Sequence, residues 1–147
     1  MDRSSPDCRV ASWLAGRGQV AVVCWAVSGG GTVDARSEYA EQFWLPVIGP
    51  SCLWALRRLA DWLDACPEGF VLPVGDFGRA LGLSGQVSIS SPITRTFRRL
   101  AGFHLVTLAP DGEALAVRCL LPLVSGSYLA RLPPFLVELH QGWEVVV

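Results

Sequence analysis

Ser91-Pro92-Ile93-Thr94-Arg95-Thr96-Phe97-Arg98-Arg99-Leu100 is the stretch on which the reading of this 147-residue chain turns. A serine suits the residue just before a helix, and proline suits the first turn, where its missing N–H costs nothing. At about 100° per residue, Ile93, Phe97 and Leu100 fall on one face. Ser91, Arg95, Arg98 and Arg99 fall on the opposite face, with Thr94 at its edge. The stretch therefore predicts a helix over 91–100, stopped by Gly102, with one side for a core and an arginine side turned outward.

The surroundings give that helix a place. From Phe77 to Pro110 there are four arginines (Arg79, Arg95, Arg98, Arg99) and no Asp or Glu, while acids gather over 34–41 and 61–76. Such one-sidedness is the local footprint that phosphate binding needs, although the net charge of −1 does not advertise it. Upstream, Leu53, Leu56, Leu59, Ala60 and Leu63 recur at helical spacing and predict a helix over 51–65, ended by Pro67 and Gly69. Trp54 lies nearly opposite that stripe, beside Arg58 and Asp61, and needs cover from the N-terminal segment or from a second subunit. Trp54, Trp62 and Arg58 are accordingly the candidate interface residues. Residues 70–72 read as a short extended piece and 74–81 as a helix, with Gly82 as a left-handed stop. Downstream, 105–108 and 114–120 are extended runs joined by Ala109-Pro110-Asp111-Gly112, which is hairpin chemistry.

Helix, strand, helix, helix, β-hairpin is the order of a winged helix-turn-helix, within an α+β class. On this reading 43–147 is the winged-helix domain, closed by a C-terminal helix over 134–140, with a further strand at 142–147. Residues 1–42 are an N-terminal extension, with a strand over 19–27 and a short polar helix over 34–43. The third helix is then expected in a major groove, where arginine reads guanine and hydroxyls take phosphate or base edges. The candidate nucleic-acid contacts are Ser90, Ser91, Thr94, Arg95, Arg98 and Arg99, together with Arg118 on the returning wing strand. The linker 84–90 is longer than that of a tight helix-turn-helix, and its Ser84, Gln86, Ser88 and Ser90 add candidate phosphate contacts. Asp111 and Glu113 at the wing tip would repel phosphate, so the contacts are expected to centre on the helix.

The stretch 43–140 resembles winged-helix proteins of high-GC Gram-positive bacteria and their phages or mobile elements. The resemblance is carried by Phe43-Trp44-Leu45-Pro46, Gly49-Pro50, Leu81-Gly82-Leu83, Ser91-Pro92-Ile93, Thr96-Phe97-Arg98-Arg99-Leu100, Arg118 and Leu132-Pro133-Pro134. It implies a winged fold and DNA binding, and names no target. A composition with twelve basic residues, all arginine, and no lysine or asparagine fits a high-GC genome.

Other function classes find little in the chain. Cys8, Cys24, Cys52, Cys66 and Cys119 are scattered without a C-x-x-C pair, and only two histidines accompany them, so reduced thiols and no metal are expected. No Ser-His-Asp, Cys-His or phosphate-loop arrangement can be picked out, since Gly29-Gly30-Gly31 lacks the following Lys-Ser/Thr. No enzyme activity and no cofactor are expected. The apolar run over 20–27 is too short for a bilayer and the N-terminus lacks a signal-peptide order, so a cytoplasmic protein without membrane contact is expected. The expectation is thus a transcriptional regulator or other winged-helix binder of double-stranded DNA, working as a homodimer. The alternative is a protein–protein interaction module or a structural subunit of a phage or mobile-element complex.

Overall fold

The alternation of small and β-branched residues in Gln19-Val20-Ala21-Val22-Val23-Cys24 makes a strand with Val20 and Val22 buried on one face. That strand is the organising element of a computed structural model that describes residues 5–26 and 33–143. The elements run α1 (Pro6–Leu14), β1 (Gln19–Cys24), β2 (Val33–Asp34), a π-helical turn (Ala40–Trp44) leading into α2 (Leu45–Ile48), then α3 (Pro50–Ala65) and β3 (Phe70–Pro73). They continue with α4 (Val74–Ala80), α5 (Pro92–Gly102), β4 (Val106–Leu108), β5 (Ala114–Val117), β6 (Leu120–Leu121), α6 (Gly126–Leu129) and α7 (Pro134–Gln141). The class is α+β.

Four strands form a mixed sheet in the order β3-β1-β5-β4. β1 runs antiparallel to β3, with Val20 opposite Leu72, and parallel to β5, with Val22 opposite Leu115. β4 and β5 are the expected hairpin. The segment read from sequence as an extension therefore supplies the strand between β3 and the hairpin. It also supplies α1, which lies across α5. Val10, Leu14, Val20 and Val22 belong to the same core as Leu56, Phe97 and Val117, so the core runs without a break across residues 42 and 43.

The helix expected over 34–43 starts later. Val33 and Asp34 instead pair with Leu121 and Leu120 as the two-stranded β2–β6 ribbon. The Arg36 guanidinium then clasps Asp34 at 2.9 Å, Asp61 at 3.0 Å and Asp64, tying this ribbon to the last turns of α3. Hydrogen bonds from Arg36 hold the Asp34 carboxyl below the ordinary carboxylate range, against a smaller opposing effect of burial. Of the expected strand over 142–147, residues 144–147 lie outside the described residues, while Trp143 packs edge-on against Phe43. The glycine run at 29–31 lies outside them too.

The helices α4 and α5 end in the same way. In α4, Leu83 N–H bonds the Gly78 carbonyl and Gly82 N–H the Arg79 carbonyl, with Gly82 at φ 79°. In α5, Leu105 N–H bonds the Leu100 carbonyl and His104 N–H the Ala101 carbonyl, with His104 at φ 60°. Both are Schellman endings. The expected stop at Gly102 is thus displaced by two residues, because the turn that returns fully buried Leu105 to the core falls at His104. Among the described residues, no helix is long and apolar enough to cross a membrane.

Candidate nucleic-acid interface

The helix α5 is enclosed on most of its circumference. Ile93, Phe97 and Leu100 are fully buried, and the Phe97 ring packs at a tilt against Phe77 of α4, with 5.9 Å between ring centres. The apolar face expected from the sequence is therefore in the core. The opposite face does not stay whole.

Two of its hydroxyls turn inward. Ser91 is 4% exposed and Thr94 fully buried, so neither is available to a ligand at the surface. Thr94 Oγ1 donates to the Ser88 carbonyl at 2.7 Å, and Ser91 Oγ accepts the Ser88 N–H at 2.8 Å. Ser91 holds the position before the helix, as expected, but its side chain fastens the 84–90 linker instead of capping α5. The linker itself lies against α4, where glycines make the approach possible. A Cβ at Gly75 would stand 2.6 Å from the Gly85 carbonyl oxygen, and one at Gly78 would stand 2.9 Å from that of Ser84. Ser90, by contrast, is exposed.

Arg118 is also withdrawn. It is 8% exposed, its Nε donates to the Leu120 carbonyl, and its buried Nη2 has no partner among the described residues. Burial lowers its pKa from the usual arginine value. It braces the β5–β6 connection and does not reach the surface as a wing contact. Arg98 faces α1, where Nε lies 3.4 Å from Asp7 Oδ2 and Nη2 3.5 Å from Cys8 Sγ. The Asp7 carboxyl sits below its ordinary value, first through a hydrogen bond with the Ser5 side chain and further through Arg98.

What remains open is a stripe carrying Arg95 and Arg99, both exposed. Arg99 Nη2 donates to the Val47 carbonyl at 3.1 Å, and its guanidinium lies 5.9 Å from the Phe103 ring. Two clefts meet at this side chain. One, of about 330 Å³, is lined by Ser51, Cys52, Leu83, Pro92, Arg95, Thr96 and Arg99. The other, of about 320 Å³, has Val47, Arg99, Phe103, Tyr128 and Arg131 among its walls. No Asp or Glu of the described residues lines either. Arg131, just after α6, is a member that the sequence did not offer, since nothing local links it to Arg99, 32 residues earlier. Cys52 closes the floor. Its thiol donates to the Thr96 carbonyl and burial pushes it up to about 11, which makes it a packing group and not a nucleophile.

The candidate interface residues lie elsewhere. Trp54 is left 52% exposed, with the Arg57 guanidinium 5.5 Å from its ring, and Arg58 is exposed beside it. Trp62 lines an apolar cleft of about 340 Å³ with Phe70, Val71, Leu72 and Phe77, beside the outermost strand β3. Among the described residues, no cluster of three or more His, Cys, Asp or Glu is placed to hold a metal ion. Compared with protein families, curated proteins and solved structures, the chain matches none.

Proposed function

We propose that the protein binds double-stranded DNA through phosphate contacts made by Arg95, Arg99 and Arg131. The observation that carries this reading is the pair of clefts that meet at Arg99, with three arginines and, among the described residues, no carboxylate in their walls. Guanidinium groups fork phosphate oxygens, and a surface free of carboxylates leaves that attraction unopposed. We read the run α3–β3–α4–α5–β4–β5 as a winged helix-turn-helix, with α5 as its third helix and β4–β5 as its wing. In this reading the duplex lies along the open flank of α5, because α1 occupies the other flank. Inward-turned Ser91 and Thr94 leave few groups to read bases, so contacts to the backbone dominate. Three phosphate contacts bind weakly alone, and two copies on one duplex would raise the affinity.

The test is fluorescence anisotropy with random-sequence duplex DNA across a salt series. Three released counterions predict a slope of log affinity against log salt of about −3. Arg95→Ala with Arg99→Ala and Arg131→Ala is expected to abolish binding while circular dichroism stays unchanged. Binding by the triple variant equal to that of the parent would sink the assignment.

A second reading, a protein-interaction module, is favoured by the Trp62 cleft. An apolar cleft beside an edge strand offers both a pocket for a side chain and unpaired backbone groups for an added strand. If DNA fails to bind at low salt and Trp62→Ala removes a discrete protein partner, this second reading replaces the first.

A further inference from the structure

The sheet brings together two cysteines that are 95 positions apart in sequence. Cys24 ends β1, and Cys119 lies between β5 and β6. The parallel register sets Val22 beside Leu115 and Cys24 beside Val117. Since side chains alternate along a strand, Val20, Val22 and Cys24 share a face with Leu115 and Val117, and Cys119 follows Val117 by two residues. The register thus brings Cys119 to the same end of the sheet as Cys24, where the two thiols lie near enough for Cys24 to raise the cost of ionising Cys119. Backbone bonds hold both flanks, from Trp25 N–H to the Val117 carbonyl at 2.9 Å and from Ala35 N–H to the Cys119 carbonyl at 3.0 Å. Cys24 is exposed and Cys119 half-buried, so a small molecule reaches the pair through Cys24.

We propose that Cys24 and Cys119 are a modification site, which closes to a reversible intramolecular disulfide by exchange with a low-molecular-weight disulfide. The Cys24 thiolate attacks one sulfur of the small disulfide, forms a mixed disulfide and releases one small thiolate. Cys119, once deprotonated, attacks Cys24 Sγ and expels the second. The two protein thiols give up two electrons and two protons, and the small disulfide leaves as two thiols. Closure would fasten the end of β1 to the segment that carries β6, next to the Arg36 clasp.

The order of events has a reason. Burial pushes the Cys119 thiol up to about 12, with Cys24 and Asp64 adding to the rise and Arg36 opposing it. A buried thiol is seldom ionised, so the closing step is the slow one, and it speeds up as pH rises. The remaining thiols are placed differently: Cys8 beside Arg98, Cys52 bonded to Thr96, and Cys66 at the end of α3.

The experiment treats the full chain with oxidised glutathione, from neutral to mildly alkaline pH, and maps it without reduction. Cleavage after arginine places Cys24 alone in 18–36 and Cys119 alone in 119–131, so the product is a single identifiable cross-linked pair. The expected result is that pair, lost again on reduction and formed faster as pH rises. Cys119→Ser is expected to stop at a stable glutathione adduct on Cys24, and Cys24→Ser to give no cross-link. A mixture of pairs involving Cys8, Cys52 or Cys66, or an adduct on Cys24 that never closes in the parent chain, would overturn the proposal.

Discussion

The two flanks of α5 carry the same residue type and meet different fates. On one, Arg98 points at Asp7 and Cys8 beneath α1. On the other, Arg95 and Arg99 stand in the walls of open clefts. Arg98 and Arg99 are adjacent in sequence, about 100° apart around the helix axis. That rotation is enough to move a guanidinium from a half-covered ion pair to an open surface. Helical periodicity tells inside from outside, but which part of the outside another element will cover depends on the whole chain.

The largest break removes what both flanks share. Phe97 is fully buried and packs against Phe77, so it holds α5 against α4. Phe97→Ala is expected to cost about 3–5 kcal/mol, read as a lower urea midpoint, because the cavity left in a packed core relaxes only in part. Much of the native stability of a domain this size would go with it. A loss below about 1 kcal/mol would mean that the α4–α5 contact is not part of the packed core.

The comparison is sharpened by changing the neighbouring arginines one at a time. Arg99→Ala is expected to weaken DNA binding roughly tenfold and to make the salt slope shallower by about one, as for the loss of one phosphate contact. Arg98→Ala is expected to leave the salt slope unchanged and to cost less than about 1 kcal/mol of stability, since its pair with Asp7 is partly solvated. If Arg98→Ala flattens the slope as much as Arg99→Ala does, the two flanks are not different in function and the covering role of α1 is refuted.

How much of this was legible in the sequence follows from the range of each signal. The apolar face of α5, the helix α3 and the β4–β5 hairpin rest on spacing within a dozen residues, and their positions in the structure follow that spacing. The inward turn of Ser91 and Thr94 depends on a linker folding back over α4. That in turn depends on Gly75 and Gly78, whose use as contact surfaces no local pattern announces. The place of β1 was hidden for another reason. A strand of valine and alanine fits an edge or a centre equally well, and only the pairing of β3 and β5 around it decides. Arg131 was hidden because α6 ends beside α2 and α5 through contacts that exist only in three dimensions.

The smallest test lies at the end of α5, where the two flanks rejoin. Gly82 ends α4 and His104 ends α5 with matching hydrogen bonds, but only the first position carries the residue that suits a left-handed backbone. A side chain there costs about 1–2 kcal/mol through crowding of Cβ against the following carbonyl. Glycine in its place gives back about 0.5–1 kcal/mol of that through the extra freedom of the unfolded chain. The His104 side chain is exposed and loses little packing when removed. His104→Gly is therefore expected to stabilise the protein by about 0.5–1 kcal/mol, seen as a higher urea midpoint with the same dependence on denaturant. DNA affinity should not change, because the turn lies beyond the arginine stripe. A destabilised variant would show that the imidazole itself holds the turn, and the resemblance between the two helix ends would then be one of backbone alone.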